Sequence, residues 1–406
     1  MTTNTHAPSR GVRIVLAAFM TLLSIGVLEA ALRIVGQTDA DGNFSLRHRQ
    51  ALPLHMPVSR LEEAVRQYRQ SNQSLFTDDA QLGWKPRAGA QNDLYAYNAA
   101  GLRARTPADA VSEQTGNTLR VAIFGDSFAH GSEVTFAESW GARIEDALDR
   151  PDRPAQVLNF GVPGYGMDQA YLRWQQEGRR YAPDVVIFGV QVENAGRNLN
   201  LLRVLYDSAD LPFAKPRFVA SGDRLQLVNV PVPPPEEVVR IVRSIDEWPL
   251  IEHERYYEPE KYRASLLRHS RLVGVIEGAI AGVSRGQLEG ELPEEQRQLA
   301  LKIISEFARS VEATGAHFVA VHLPRRVDLE HVRANGRMPN LGFIEAIEKS
   351  APVVRIDEAL LARAGEGDLD PLFRPGGHYS PEGYALLAES VVQRLQSDLA
   401  SRVGTN

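Results

Sequence analysis

The stretch Leu119-Arg120-Val121-Ala122-Ile123-Phe124-Gly125-Asp126-Ser127-Phe128 constrains the chain more than any other. It opens as an apolar run of strand length and stops at Gly-Asp-Ser. Residues 139–148 then carry apolar positions at helical spacing. A strand that stops at a glycine and feeds a helix is the unit of an α/β sheet, and it leaves Ser127 at the strand's carboxyl end. Gly125 permits the sharp turn, and backbone N–H groups at the helix start are free to hold an anion. A serine hydroxyl is a weak nucleophile at neutral pH and needs an adjacent base. A candidate lies far down the chain, His378 in Gly376-Gly377-His378-Tyr379-Ser380-Pro381, just before the last helical pattern.

Four further apolar runs follow, at 155–160, 184–190, 317–323 and 353–356, and helical patterns separate them, notably over 167–180 and 295–314. Val185 to Val190 is continuously apolar, as in a strand buried on both faces. This alternation predicts an α/β fold with a five-stranded parallel sheet and helices on both sides. Residues 201–300 read as an insertion: a hairpin through 215–229, a Pro-rich connector at 231–235, then mainly helix over 236–290.

The amino terminus has a different character. Ile14 to Leu28 is uncharged and mostly apolar, with Arg10 and Arg13 before it. Apolar residues resume through Val35, interrupted by Glu29 and Arg33, which share a helical face and can pair. Residues 12–35 are read as a transmembrane signal-anchor helix, with residues 1–11 as a cytoplasmic tail. The competing reading is a cleaved signal peptide, for which Leu28-Glu29 before Ala30-Ala31 is a poor cleavage site. Either way the bulk of the chain is expected outside the inner membrane, periplasmic or extracytoplasmic. Residues 36–117 read as a tether followed by a β-rich extension.

A hydrophobic fraction of 43% and a charged fraction of 24% describe a folded chain. The net charge of -6, with no basic stripe interleaved with aromatics, argues against nucleic acid as a partner. The absence of cysteine excludes disulfides, thiol catalysis and Cys-ligated metals.

Gly125-Asp126-Ser127, Gly161 within Asn159-Phe160-Gly161-Val162-Pro163-Gly164, Asn194 after the third strand, and His378 together resemble the four spaced blocks of the SGNH (GDSL) hydrolase family, over residues 118–400. The resemblance implies a three-layer α/β/α flavodoxin-like sandwich. It implies that Ser127 is the nucleophile and His378 its base. It also implies that the N–H groups of Ser127 and Gly161, with the Asn194 amide, form the oxyanion hole, and that no metal or cofactor takes part. The chain departs from the pattern in two places. Ala195 follows Asn194 where aspartate is common, and Asn198 and Asn200 offer alternative registers. Pro375 occupies the place of the aspartate that normally precedes the histidine by three residues. Asp370, Asp368 or another carboxylate is then the orienting acid, or a backbone carbonyl serves a Ser-His dyad.

Ahead of the core, Leu82-Gly83-Trp84 and Asn98-Ala99-Ala100-Gly101-Leu102-Arg103 resemble a segment of membrane-anchored bacterial SGNH proteins. On their own, these residues read as an irregular β-rich edge with turns at Asn98 and Gly101, and Arg103 is assigned no role. His322, at the end of the fourth strand, reads as structural or supporting, and Glu193 as a solvated side chain.

The expected function is a serine esterase that hydrolyses acyl esters, O-acetyl above all, on carbohydrate. An O-acyltransferase on the same machinery, modifying an envelope polysaccharide, and a catalytically weak SGNH-like polysaccharide-binding protein are the alternatives.

Overall fold

A computed structural model describes residues 9–47, 49–71, 74–111, 116–206, 211–222, 224–281 and 291–403. The five apolar runs become parallel strands: β1 (Leu119–Phe124), β2 (Ala155–Asn159), β3 (Val185–Val190), β4 (His317–His322) and β5 (Val353–Arg355). Every residue of β1, β3 and β4 is buried, the polar Arg120, His317 and His322 included, which is why these runs do not alternate. Val185 lies opposite Val121 on one side and His317 on the other.

The strands are ordered β5-β4-β3-β1-β2. Chain direction across the sheet therefore reverses at β1, and the crevice outside the carboxyl ends of β1 and β3 is the topological switch point where α/β folds place their sites. The sheet has seven strands, two more than expected. Two short antiparallel strands from the extension, Arg103–Ala104 and Ala96–Tyr97, continue it beyond β2, with Arg103 opposite Asn159.

Helices cover both faces. Met167–Gln176 and Glu294–Glu312 pack on one, with Trp174 and Phe307 each meeting Phe124 edge to face at ring distances of 5.9 and 5.7 Å. Trp140–Leu148 and Pro381–Val403 pack on the other. Each such Phe contributes roughly 1.5–3 kcal/mol by leaving water, so the two apolar layers fix the sheet that carries the site.

Within 201–300, Arg217–Ser221 and Arg224–Val228 form the expected hairpin and Pro235–Arg243 a helix. The insertion is tied to the core by Lys215, whose ammonium donates to Asp168 at 2.5 Å in a fully buried pair. Residues 282–290, part of the expected helical stretch, lie outside the described residues.

The N-terminal helix runs Arg10–Val35 and is long and apolar enough to cross a membrane. The segment after it is not a plain tether. Gln37–Thr38, Phe44–Leu46 and Arg49–Gln50 pair as a small antiparallel sheet. Asp39 builds its first turn by accepting the N–H groups of Asp41 and Asn43 at 3.0 and 2.8 Å. Phe44 lies so close to Gly36 that a Cβ there would sit 2.0 Å from its ring.

Candidate active site

β1 ends at Gly125, whose φ of +146° is open to glycine alone in practice. A Cβ here would sit 2.7 Å from that of Ala129 and 3.0 Å from the Gly189 carbonyl. The strand-to-helix turn is thus wedged between its own short helix and the buried β3. Ser127 opens the short helix Ser127–His130, and Asp126 caps it by accepting the Phe128 N–H at 2.9 Å.

The last loop brings in His378. The turn is closed by Arg374 N–H to the His378 carbonyl at 2.7 Å and by Gly377, at φ +94°. Tyr379 pins it to the core by donating to the Pro324 carbonyl at 2.6 Å. Phe128 lies against the imidazole, ring centres 4.9 Å apart. His378 Nε2 stands 2.8 Å from Ser127 Oγ. The two residues singled out in the sequence therefore meet at hydrogen-bond distance.

The orienting acid is not where the sequence pointed. Asp370 and Asp368 are exposed and face the Arg326 guanidinium, Asp368 at 3.4 Å, and neither touches the histidine. Glu133 takes the position instead. Its Oε2 is 2.6 Å from His378 Nδ1 and 3.2 Å from the His378 N–H, and its Oε1 accepts the Gly376 N–H at 2.9 Å. A carboxylate there fixes the proton on Nδ1 and leaves Nε2 free to accept the serine proton. Partial burial raises the Glu133 pKa, but the bonds from the His378 ring and two backbone N–H groups outweigh it and hold the carboxyl below its ordinary value. Gly376 must be glycine, because a Cβ there would fall 2.5 Å from the Glu133 carboxylate.

Glu133 itself has φ +64°, a strained conformation for a residue with a side chain. The extension holds it there. The Tyr95 hydroxyl accepts the Glu133 N–H at 2.8 Å. The buried Arg103 guanidinium donates to the carbonyls of Gly131 and Val134 at 2.9 and 2.7 Å, one on each side of the glutamate. It also donates to His130 Nδ1 at 3.1 Å, so that ring's Nε2 carries the proton facing Tyr97 Oη at 2.9 Å. Burial, then the Arg103 charge, keeps His130 well below the usual histidine pKa. Arg103, given no role from sequence, clamps the acid's loop. The Asn98 turn that presents it is closed by Asn98 Oδ1 accepting the N–H groups of Ala100 and Leu102.

The proposed oxyanion donors divide. The Ser127 N–H stands at the first position of its helix. Asn194 is buried at the end of β3, and Asp126 Oδ2 accepts its amide at 2.9 Å, which ties it to the nucleophile turn. Asn200 donates its amide to Glu254, and Asn198 accepts the Asp168 N–H, whereas Asn194 is the asparagine bonded to the turn that carries Ser127. Gly161 differs from expectation. Its N–H donates to Asn159 Oδ1 at 2.9 Å and is turned inward. It must be glycine for another reason: a Cβ would lie 2.4 Å from the His130 nitrogen. In the same loop Gly164, at φ +84°, has a backbone N–H with no acceptor among the described residues.

His322 lies apart from the Ser127–His378–Glu133 line. Burial lowers its pKa to about 4 against the opposing pull of Asp357 and Asp328. Glu193 pairs with Arg325 at 2.7 Å. Among the described residues no group of three or more His, Asp or Glu is arranged to hold a metal.

No protein-family model matches this chain, and no curated protein does. Solved structures do. One is an acetylxylan esterase from Geobacillus stearothermophilus, at 12% identity over 69% of this chain and 94% of that one, with a TM-score of 0.37. Another is a lipase/acylhydrolase from Enterococcus faecalis, at 12% identity over 69% and 96%, with a TM-score of 0.34. A third is a two-domain esterase active on acetylated mannans, at 13% identity over 70% and 50%, with a TM-score of 0.36.

Proposed function

We propose that this chain is a membrane-anchored serine ester hydrolase of the SGNH type, working through Ser127, His378 and Glu133. The observation that carries the reading is the unbroken line from Glu133 Oε2 through the imidazole to Ser127 Oγ, at 2.6 and 2.8 Å. His378 Nε2 takes the Ser127 proton as Oγ attacks the ester carbonyl. The carbonyl oxygen becomes an oxyanion, held by the Ser127 N–H and the Asn194 amide. In the loop after β2 we assign the third donor to Gly164 rather than Gly161. Collapse breaks the ester bond, and the alcohol leaves with the proton from His378. Water then attacks the acyl-serine, again giving its proton to His378, and a carboxylic acid and free Ser127 result. Throughout, Glu133 holds the Nδ1 proton and stabilises the transient imidazolium.

The preferred substrate is an O-acetyl ester on a carbohydrate. The N-terminal helix supports an anchored chain, and Arg10 and Arg13 favour a cytoplasmic amino terminus with the site on the far side of the inner membrane. Glu133 weighs against the weakly catalytic binding protein, because the acid that seemed to be missing has a replacement. The test is hydrolysis of a chromogenic acetate by the detergent-purified full chain. Turnover that falls to background in both Ser127→Ala and His378→Ala supports the reading. Equal rates in all three proteins overturn it.

A further inference from the structure

Beyond the N-terminal helix, the large apolar side chains that stand exposed among the described residues are Leu266, Leu267, Ile276, Ile280 and Val327. Four of the five lie in one stretch, on and just before the helix Arg271–Ile280. Leu266 is 91% and Ile280 82% exposed. Monomeric surfaces rarely gather such side chains without a partner.

The other face of this helix is committed. Gly274 and Gly278 lie against the chain at residues 50–52, where a Cβ on either would fall 2.2 Å from the carbonyl of Leu52 or Gln50. Leu272 and Val275 pack with Leu32, Phe44 and Ala51. Ile276 and Ile280, four apart, point away from that contact. The helix is amphipathic, glycine inward and isoleucine outward.

Its level is set by the N-terminal helix. Glu29 caps it, accepting the N–H groups of Arg271 and Leu272 at 2.9 Å each and the Ser270 hydroxyl at 2.8 Å. Arg33 pairs with Glu29 at 2.8 Å and donates to the His269 carbonyl at 3.0 Å. The uncharged run Ile14–Leu28 spans only about 22 Å as helix, short of a hydrocarbon core of about 30 Å. A crossing helix therefore brings residues 29–35 to the bilayer, where Ile34 and Val35 stand 83% and 70% exposed. Residues 269–272 are bonded to that same level.

We propose that residues 266–280 form an interfacial element that lies in the outer surface of the phospholipid bilayer, with Leu266, Leu267, Ile276 and Ile280 among the lipid chains. The Glu29–Arg33 pair is its post: Glu29 is neutralised by Arg33 and by the helix start, and the long Arg33 side chain, half exposed, reaches toward the headgroups. The domain is then seated on the membrane rather than hung from a tether. This rests on the anchored reading of the N-terminal helix and is independent of the chemistry.

The chain has no cysteine, so single labels are simple to place. The full chain is reconstituted in dioleoylphosphatidylcholine vesicles with an environment-sensitive fluorophore at Leu266→Cys, Ile276→Cys or Ile280→Cys. Leu22→Cys in the N-terminal helix and Val327→Cys on the exposed face of the helix Arg326–Asn335 are references. The expected result is blue-shifted emission at 266, 276 and 280, quenched by lipid-borne nitroxide, with iodide quenching several-fold weaker than at 327. Lipid quenching at 22 with iodide quenching at 266, 276 and 280 keeps the anchor and overturns the interfacial element. Iodide quenching at 22 as well overturns the anchor and this proposal with it. Labels shielded from both quenchers mean a second copy covers the face, which also overturns it.

Discussion

Ser127 and Glu133 sit in one short stretch of chain, yet different parts of the molecule hold them. Ser127 is placed by the middle of the sheet, on a turn that leaves the wholly buried β1 and is wedged against Ala129 and against Gly189 of the equally buried β3. Glu133 is placed by the extension, through Tyr95 and Arg103, in a backbone conformation that its own sequence does not favour. The geometry of the proposed nucleophile comes with the fold. That of the proposed acid is supplied by a segment added to the fold's edge. The two should therefore respond differently to change.

The largest separation is expected at the acid. Ser127→Ala should lower kcat by roughly 10⁶-fold, and Glu133→Gln, which keeps shape but loses charge, by roughly 10³–10⁴-fold, with KM nearly unchanged. A loss under tenfold for Glu133→Gln would return the site to a dyad. Asn194→Ala should cost roughly 10²-fold in kcat, read in the same assay, because it removes one donor to the oxyanion. Tyr95→Phe removes the acceptor for the Glu133 N–H, worth about 1 kcal/mol, and should slow kcat about fivefold. The comparison sharpens if that loss disappears when Tyr95→Phe is made on the Glu133→Gln background, since a positioning role needs a carboxylate to position. Asp370→Asn should change kcat less than about twofold, because its partner is Arg326 at the surface.

Ser127 and His378 were legible as a pair: each stands where a strand or loop breaks into a helix near a glycine, and with Gly161 and Asn194 between them they match the four spaced blocks the chain resembles. The parallel sheet was legible from mostly apolar runs alternating with helical patterns, Val185–Val190 above all. Glu133 was not, because nothing local distinguishes it from any other glutamate. Its contact with His378 crosses 245 residues, and its one faint trace is Gly376, which must lack a side chain to admit the carboxylate. Between Gly161 and Gly164 the sequence offers two loop glycines, and only the Asn159 side chain decides which N–H is already occupied. The strands at 37–50 are two or three residues long, too short for alternation to register, so a small folded sheet read as a tether.

The distance from His378 to Ser127, 251 residues along the chain, has a temporal meaning. Nucleophile and acid lie within one stretch and are made together, long before the base exists. The base arrives only when Pro381–Val403 docks beside Trp140–Leu148 and completes that layer. On the proposed chemistry, a chain still being synthesised or threaded across a membrane holds an idle serine. Its reactivity begins with the closing of its last helix, so the finished fold is itself the signal that starts the enzyme.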